Sequence, residues 1–380
     1  MIAHGLRDVV VTALARLGVE PVPPAGREIL LIRPDHLGDV LFVTPALRRL
    51  RRALPDARIT LAIGPWSRAA VEGNPDVDEI LEFPFPGFTR ADSPNPVAPY
   101  RALAEFARTV RQRRAAAAVV LRDDHWWGAL AVQRSGVPVR VGSDHPAMRR
   151  MLTNPVSLDG HSVERNAALV DAVATALGGV LAASVTPESD PLLWDVAPEA
   201  ATAARAILTS NTVEGPYLVL APGAGAPVKL WPATRWAAVA SALSRARDVP
   251  VVLVGSPAES SIAERVRLAM TVPAVDLTGR TDFPTLGALL AGASLVLGVD
   301  SGPLHLATAV GAPTLRLYGP SSLERYGPWG DPRRHRVVSA GLRCSGCGDL
   351  SPKRPEGAGC LVAITVEQVV HAAFGMVAGV

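Results

Sequence analysis

Short runs of apolar residues alternate with amphipathic stretches along most of the chain. Residues 28–33 (EILLIR) form an apolar run that predicts a buried strand, and residues 40–54 follow with apolar positions at helical spacing. Four more predicted strands and a long predicted helix continue the alternation, at 58–63, 80–83, 115–121, 137–141 and 161–180. Strands that alternate with helices pair in parallel, so this part of the chain predicts an α/β, doubly wound parallel sheet.

A polar, proline-punctuated connection at residues 182–198 interrupts this alternation, which then restarts. The predicted strands of a second doubly wound unit lie at 217–221, 251–254, 275–277, 294–298 and 314–318. Two such domains are expected to face each other across a cleft, with ligands at the carboxyl ends of their strands. We divide the chain into an N-terminal helical extension with a linker (1–27), a first domain (28–190), a second domain (191–345) and a C-terminal segment (346–380).

The N-terminal extension contains a short amphipathic helix at residues 6–17, followed by a Pro/Gly linker. Such a helix either lies on a membrane surface or packs on its own protein, and we favour packing. No run of about 18 apolar residues is present, which argues against a membrane-spanning helix. The N-terminus also lacks the basic and apolar regions of an export signal, so we predict a cytoplasmic protein, with peripheral membrane contact as the alternative role of the helix.

The composition excludes several classes of protein. The 380 residues are 48% hydrophobic and 19% charged, which is too apolar and too weakly charged for a disordered chain. The net charge of +3 comes from mixed signs, and this is not the profile of a nucleic-acid binder. Three cysteines, all between positions 344 and 360, argue against a disulfide framework and for a reducing compartment. They supply one thiolate fewer than the usual structural metal site needs. The alternative is a site that a histidine completes, but we predict no metal.

The loop after the first predicted strand carries Asp39, at the start of the following helix. One interpretation is a helix cap, because a carboxylate near a helix N-terminus is favourable. The other interpretation is a general base that takes a proton from a substrate hydroxyl at the mouth of a cleft. The spacing of the residues alone favours the cap.

A second loop, residues 222–232, contains Gly223, Gly225 and Lys229. The glycines let backbone N–H groups approach an anion, but Val228 stands where the dinucleotide-binding fingerprint needs a small residue. Lys229 is either a surface residue or a point charge for a phosphate. The chain has only one other lysine and otherwise uses arginine, which favours a specific need for a compact ammonium group here.

The third loop carries Asp300, Ser301, Gly302 and His305 between a predicted strand and a predicted helix. Ser301 suits the N-cap position, and the free N–H groups of the helix would bind an anion. Asp300 would repel a phosphate, so it is expected to bond sugar hydroxyls or the loop backbone. His305 either donates to a phosphate oxygen or is a structural residue. A serine nucleophile with a histidine base is disfavoured, because the Gly-x-Ser-x-Gly elbow is absent.

Further candidates lie in three other segments. Glu259 either caps its helix or binds ribose hydroxyls, and Thr281 follows the next predicted strand. Arg122, Asp123 and His125 precede two tryptophans, which is either a sugar-binding mixture or an ordinary polar loop. Four arginines at 48, 49, 51 and 52 form either a solvated helix face, which we favour, or a dock for an anionic acceptor or membrane.

These loops closely resemble glycosyltransferase family 9, the ADP-heptose heptosyltransferases of lipopolysaccharide core synthesis. The resemblance covers residues 28–370, and it is carried by segments 29–63, 219–236 and 276–330, with Leu-Gly-Asp-Val and Asp-Ser-Gly-Pro-x-His in this order. It implies a GT-B fold, in which two Rossmann-like domains face each other across a cleft. The second domain would bind the donor and the first the acceptor, without a catalytic metal or cofactor, and a last helix at 366–376 would cross back to the first domain.

The resemblance also implies roles for the loop residues. Asp39 would be the general base of an inverting transfer, and Lys229 would bind the donor diphosphate. The remaining donor-binding residues would be Gly223 in the glycine loop, Glu259 at the ribose, Thr281 at the adenine, Asp300 at the sugar hydroxyls, and Ser301, Gly302 and His305 around the phosphates. The expected acceptor-binding residues are His36, Arg122, Asp123 and His125, of which His36 departs from the small hydroxyl residues usual in the family.

The expected function is therefore the transfer of a heptose from ADP-heptose, or a similar nucleotide sugar, to a hydroxyl of a glycan or small-molecule acceptor. One alternative is a family-9-like glycosyltransferase of secondary metabolism with another donor. A second alternative is a relative with the same fold that transfers nothing, such as a sugar-nucleotide epimerase. The non-enzymatic alternative is a degenerate sugar-nucleotide-binding protein, against which the joint presence of Asp39, Lys229 and Asp300 counts.

Overall fold

The structure is a computed structural model, and it describes residues 11–89, 95, 97–181, 183–342, 345–348, 350 and 359–377. The chain forms two compact units, Met1–Val185 and Thr186–Val380. The division between them falls inside the polar connection at residues 182–198, close to the boundary that we predicted at residue 190. Each unit has its own six-stranded sheet, and every strand pair in both sheets is parallel.

The first unit is a doubly wound sheet with strand order β3-β2-β1-β4-β5-β6. Its strands are β1 (Glu28–Arg33), β2 (Arg58–Ile63), β3 (Glu79–Glu82), β4 (Ala117–Val120), β5 (Val139–Ser143) and β6 (Asn154–Val156). Its helices are α1 (residues 11–16), α2 (Leu37–Leu41), α3 (Thr44–Ala53), α4 (Ala98–Arg113), α5 (Trp126–Ser135) and α6 (Ser162–Ala176), with 3₁₀ turns at Pro65–Ala70 and Arg149–Met151.

The second unit repeats this architecture with strand order β12-β11-β10-β7-β8-β9. Its strands are β7 (Leu218–Ala221), β8 (Val251–Leu253), β9 (Ala274–Asp276), β10 (Leu295–Val299), β11 (Thr314–Tyr318) and β12 (His335–Ser339). Its helices are α7 (Pro198–Ser210), α8 (Ala233–Arg247), α9 (Ser260–Ala269), α10 (Phe283–Ala291), α11 (Gly302–Ala309), α12 (Leu323–Tyr326), α13 (Gly359–Val362) and α14 (Val366–Val377), with 3₁₀ turns at Pro227–Lys229 and Pro257–Glu259.

The central strands of both sheets are largely apolar because helices cover both faces. Ile29, Leu30, Leu31 and Ile32 of β1 are completely buried between β2 and β4. This pattern fits a strand in the middle of a parallel sheet, where both faces need apolar side chains. The predicted fold class, an α/β protein with two doubly wound sheets, is confirmed.

Some elements differ from the prediction. The outer strands β6 and β12 and the helix α7 were not predicted. Asn154–Val156 is only three residues long and contains a proline, so no alternation of apolar residues marks it as a strand. Neighbouring strands, rather than local sequence, make these edge segments part of the sheets.

The last helix, α14, packs within the second unit. Val369 and Ala373 are fully buried in that unit's core. Arg336 of β12 donates from Nη1 to the carbonyl of Ala372 at 3.3 Å and from Nη2 to that of Gly375 at 3.2 Å. It packs against α8 and β12, where its apolar side chains fill the outer core of the second unit. That this helix crosses back to the first domain stays a prediction.

The described part of the N-terminal extension packs on the first unit. Val11 belongs to the core of that unit, and Gln133 donates from Nε2 to the carbonyl of Ala15 at 3.1 Å. For these residues the structure supports packing on the chain's own protein, the interpretation that we favoured. The beginning of the predicted helix, residues 6–10, lies outside the described residues. Among the described helices, none is long and apolar enough to cross a membrane.

Candidate active site

The chemistry-bearing residues of the second unit follow adjacent strands. Lys229 follows β7, Glu259 follows β8 and Asp300 follows β10, and β7 pairs with both β8 and β10. Because parallel strands end at the same edge of a sheet, these three loops share the carboxyl edge, where open α/β sheets bind their ligands.

Asp300 is the centre of a buried polar cluster at this edge. The ammonium group of Lys229 lies 2.6 Å from its Oδ2, and Nε2 of His305 lies 3.2 Å from its Oδ1. The hydroxyl of Tyr318 lies 3.3 Å from Oδ1 and donates to the carbonyl of Tyr326 at 2.5 Å. Only 8% of the Asp300 side chain and 16% of the Lys229 side chain are exposed. The structure therefore brings together three residues that were predicted to bind the donor.

The charge of Asp300 is fixed by its partners. Burial raises the pKa of Asp300, but the hydrogen bond from His305 and the positive charge of Lys229 outweigh burial and hold the pKa well below its usual range. For His305, burial dominates and lowers the pKa to about 4. At neutral pH Asp300 is therefore a carboxylate and His305 a neutral imidazole.

The N-terminus of α11 adjoins this cluster. Ser301 occupies the N-cap position, as predicted, but its side chain makes no capping hydrogen bond, and its Oγ is buried without a partner. A Cβ atom added at Gly302 would have no atom within 4 Å. The first turn of α11 thus offers a backbone N–H, a buried hydroxyl and open space, which is the arrangement that an anion needs.

The carboxylate of Glu259 lies next to Gly223 of the glycine loop. Its Oε2 accepts from the backbone N–H of Ser256 at 2.6 Å and from the Ser256 hydroxyl at 2.8 Å, so Glu259 caps the 3₁₀ turn Pro257–Glu259. At α9, which follows, Glu259 occupies the N-cap position without a side-chain capping hydrogen bond. Its Oε1 lies 2.0 Å from the position that a Cβ atom would take at Gly223. A side chain at position 223 would displace Glu259, which explains the glycine. Thr281 is half-buried beside Asp282, the N-cap residue of α10.

In the first unit, Asp39 lies in the first turn of α2, next to the carboxyl end of β1. Its side chain is 38% exposed, and its Oδ1 lies 4.0 Å from Nη2 of Arg33. His36, at the N-cap position of the same helix, is exposed, with its ring 5.9 Å from that of Trp66. Asp39 is therefore accessible and close to a cation, as a carboxylate that contacts a substrate would be.

A buried ion-pair network beside Asp39 was not predicted. Asp35 is 3% exposed, lies 2.7 Å from Nε of Arg33 and is also paired with Arg122. Arg122 in turn pairs with Asp124 at 2.7 Å. Since 87 residues separate Arg122 from Asp35 along the chain, only the pairing of β1 with β4 brings them together. The position of an acidic residue, Asp35, just after the buried strand β1 was the one sign of this network in the sequence.

The other predicted acceptor residues have protein partners. Asp123 is paired with Arg165, which also donates from Nη1 to the carbonyl of Leu158 at 2.7 Å. His125 is 5% exposed and packs in a cluster of aromatic rings, and neither of its ring nitrogens has a hydrogen-bond partner. These environments match the alternative interpretation of this segment, a polar loop packed on the core.

The burial of His125 should affect how the free energy of unfolding depends on pH. Burial lowers its pKa to about 4, and Asp35 opposes this shift only in part. Between pH 6.5 and 4 the unfolded chain therefore binds more protons than the native protein, and stability falls as the pH is lowered. In that window we expect His125 to reduce the free energy of unfolding by about 1.4 kcal/mol for each unit by which the pH falls. Urea unfolding of wild type and His125→Phe at pH 7 and 5 measures it, and an equal acid-induced loss in both proteins would contradict the assignment.

The arginine-rich face of α3 is largely engaged within the first unit. Arg49 is buried, with its Nε 2.5 Å from Asp171, and Arg51 lies 2.6 Å from Asp78. These arginines join α3 to neighbouring segments. For Arg49 and Arg51 this finding departs from both earlier interpretations, a solvated face and a dock for an anion, because their acidic partners come from distant parts of the sequence. Arg48 is half-buried and Arg52 is exposed, so the solvated face that we favoured applies to part of the set.

Of the three cysteines, Cys344 lies outside the described residues. Cys347 is exposed, and Cys360 is buried against Val228, next to Lys229 in the glycine loop. In the described residues, no group of three or more His, Cys, Asp and Glu side chains is arranged to hold a metal ion.

Comparisons with known proteins agree with this architecture. The family model of glycosyltransferase family 9 (heptosyltransferase) matches residues 103–350. Lipopolysaccharide heptosyltransferase 3 of Escherichia coli is 28% identical over 302 residues, which cover 77% of this chain and 83% of that protein. Lipopolysaccharide heptosyltransferase 2 of Salmonella typhimurium is 27% identical over 307 residues, which cover 78% and 83%.

Solved structures share the fold. A family 9 glycosyltransferase from Veillonella parvula has a TM-score of 0.77 and 24% identity, and the match covers 92% of this chain and 97% of that chain. ADP-heptose lipopolysaccharide heptosyltransferase II of E. coli has a TM-score of 0.70 and 22% identity, with coverages of 92% and 98%. Because the family match spans well over half of the sequence, this chain belongs to glycosyltransferase family 9 and is a glycosyltransferase of the GT-B fold.

Proposed function

We propose that the chain transfers a heptose from ADP-heptose, or a similar nucleotide sugar, to a hydroxyl group of a lipopolysaccharide-core-like glycan, with inversion and without a metal ion. The observation that carries this proposal is the Lys229–Asp300 pair beside the open N-terminus of α11. The names of the curated relatives support the donor sugar and the acceptor class.

The second unit supplies the groups that a sugar diphosphate needs. The Lys229 ammonium is a compact charge for one phosphate, and the Ser301 hydroxyl and the Gly302 N–H are donors for the other. The second unit also supplies Asp300, which is unsuited to bind a phosphate but accepts hydrogen bonds from sugar hydroxyls. His305 supports the cluster through its contact with Asp300.

The adenosine end of the donor is assigned to the neighbouring loops. Glu259 uses Oε2 for its helix cap, and we propose that Oε1 accepts from a ribose hydroxyl. Gly223 leaves the room that this carboxylate occupies. Thr281, at the end of the next loop, is proposed to contact the adenine edge.

Departure of the nucleoside diphosphate is the step in which negative charge develops. Lys229 and the dipole of α11 are fixed in place before the reaction, and preorganised charges of this kind stabilise a leaving group strongly. Lys229 and the dipole of α11 would therefore stabilise the leaving diphosphate, as a divalent cation does in other transferases.

Asp39 is proposed to act on the acceptor in a single displacement. Its carboxylate takes the proton of the acceptor hydroxyl while the oxygen forms a bond to the anomeric carbon, and the bond from that carbon to the diphosphate breaks. One displacement inverts the configuration. Among the predicted acceptor residues, His36 and Arg122 keep partly or fully exposed side chains and are proposed contacts, whereas Asp123 and His125 support the loop.

A thermal-shift screen of nucleotide sugars tests the donor. A ligand at about 100 times its dissociation constant stabilises the folded protein by ~2.7 kcal/mol, which is a clear shift. We expect ADP-heptose and ADP to raise the unfolding temperature more than UDP- or GDP-sugars. A larger shift with another nucleotide would reassign the donor, and the absence of any shift would refute nucleotide-sugar binding. Product formation from ADP-heptose and a core glycan then tests the transfer itself.

Gly302→Val should weaken donor binding without harming the fold. A Cβ atom at position 302 would have no atom within 4 Å, so we expect the valine side chain to fit and to extend into the proposed diphosphate site. We expect the affinity for ADP, measured by calorimetry, to fall at least about tenfold, or ~1.4 kcal/mol. Gly26→Val is the matched control, because position 26 is equally open but lies in the first unit. If ADP binds Gly302→Val and wild type equally well, the phosphate site lies elsewhere.

A further inference from the structure

A fully buried arginine, Arg316, contacts His305 of the Asp300 cluster. Arg316 of β11 is 0% exposed, and its Nη1 lies 3.2 Å from Nδ1 of His305. Its Nη2 donates to the carbonyl of Leu304 at 2.6 Å and to the hydroxyl of Thr308. Arg316 thus contacts α11 along its first turns while it is too deep to touch a bound donor.

These contacts settle which nitrogen of His305 carries the proton. A guanidinium group has no acceptor, so Nδ1 of His305 must accept from Arg316. The imidazole is neutral at pH 7, because burial lowers its pKa to about 4. Its single proton therefore resides on Nε2, which lies 3.2 Å from Oδ1 of Asp300. His305 donates to Asp300, and the other oxygen of that carboxylate receives the ammonium of Lys229.

We propose that Arg316 is a positioning residue for the donor site. By occupying Nδ1 of His305 it fixes the Nε2–H tautomer, whose hydrogen bond holds Asp300 in place, and Asp300 in turn holds the Lys229 ammonium ready for the diphosphate. This inference rests on the proposed function only in its last link, the contact of Lys229 with a diphosphate.

Arg316 also joins β11 to α11 through Leu304 and Thr308, but a buried cation is a costly way to make these contacts. Burial lowers the pKa of Arg316, which means that the charged form is disfavoured there, and its Nε is buried without a hydrogen-bond partner. Apolar residues of similar volume are often as stable as a buried charged group. The charged groups that face His305 are Arg316, Asp300 and Lys229, so the orientation of its ring is the feature that a cation at 316 controls.

The first test needs no donor, and its main result comes from the wild-type protein. In ¹⁵N-labelled wild-type protein at pH 7, the imidazole of His305, assigned by comparison with His305→Gln, should show the proton on Nε2. A proton on Nδ1 would overturn the proposal. In Arg316→Met the fixed tautomer should give way to a mixture of both forms. The ammonium resonance of Lys229 is readily assigned, since the chain has only two lysines, and it should change in the same variant.

The second test measures ADP affinity by calorimetry. We expect Arg316→Met to bind ADP about tenfold more weakly, Arg316→Lys to recover part of the loss, and Lys229→Met to be weaker than both. The double variant should bind no more weakly than Lys229→Met, because Arg316 acts through Lys229. Losses that add up in the double variant would overturn the proposal.

Thr314→Val is the matched control for this test. Thr314 lies on the same strand, is equally buried, and contacts a different histidine, His335, through its hydroxyl at 3.1 Å. Thr314→Val should leave the His305 tautomer and the ADP affinity unchanged. If Arg316→Met does not fold, two measurements still test the proposal. They are the tautomer of His305 in wild type and the ADP affinities of Arg316→Lys, Lys229→Met and their double variant. If wild type binds no ADP, the proposed function fails, while the tautomer still decides the role of Arg316.

Discussion

Asp39→Asn should lower kcat by about 10²- to 10⁴-fold, the range over which a general base contributes to catalysis. Asparagine keeps the size and polarity of the side chain but cannot accept the proton of the acceptor hydroxyl. The affinity for ADP should stay near the wild-type value, because the donor site is assigned to the second unit. Steady-state kinetics with ADP-heptose and calorimetry with ADP measure the two quantities separately.

The structure offers a close control for this variant. Asp144 directly follows β5 of the same sheet, has a side-chain exposure of 35% against 38% for Asp39, and is paired with Arg149 at 2.8 Å. Asp144→Asn therefore removes a carboxylate of similar exposure from the same unit, and kcat should hardly change. Wild-type turnover in Asp39→Asn would show that another group accepts the proton.

Lys229→Met should have two effects, one on donor affinity and one on stability. Loss of a charged donor to a phosphate should weaken ADP binding by about 10- to 100-fold, or roughly 1.4 to 3 kcal/mol. The variant also leaves the carboxylate of Asp300 buried without its cationic partner. We expect a loss of about 2 kcal/mol in the stability of the second unit, since His305 and Tyr318 still contact Asp300.

Lys229→Met combined with Asp300→Asn separates these two effects. The double variant removes both charges, so the stability lost in Lys229→Met should largely return, whereas ADP affinity should stay low. Lys353→Met, which changes the other lysine of the chain, is the control for loss of a lysine as such. Unchanged ADP affinity in Lys229→Met would refute the diphosphate contact, whatever happens to stability.

The strand-end loops show how far the sequence predicted the site. Asp39, Lys229 and Asp300 were singled out because each follows a buried apolar run, and the structure places each at the carboxyl edge of its sheet. Glu259 was expected to cap a helix, and it caps the 3₁₀ turn that precedes α9. These features depend on neighbours within a few residues along the chain, so local patterns are sufficient to find them.

Long-range pairs escaped the sequence analysis. Lys229 and Asp300 are 71 residues apart, Arg122 and Asp35 are 87 apart, and no local pattern marks either pair. Arg316 was counted as an ordinary strand residue, although it is fully buried and contacts His305. Each of these contacts follows from the order of strands in a sheet rather than from strand propensity.

The sequence by itself determined the alternation of strands and helices, the division into two units and the residues at the strand ends. Hydrophobic periodicity and turn residues act over short distances, and they are visible in the order of residues. The tertiary structure alone decided that Asp300 is shared by Lys229 and His305, that Arg316 lies behind them and that α14 packs on the second unit. Burial and ion pairing depend on which strands become neighbours, and that choice is made by the whole fold.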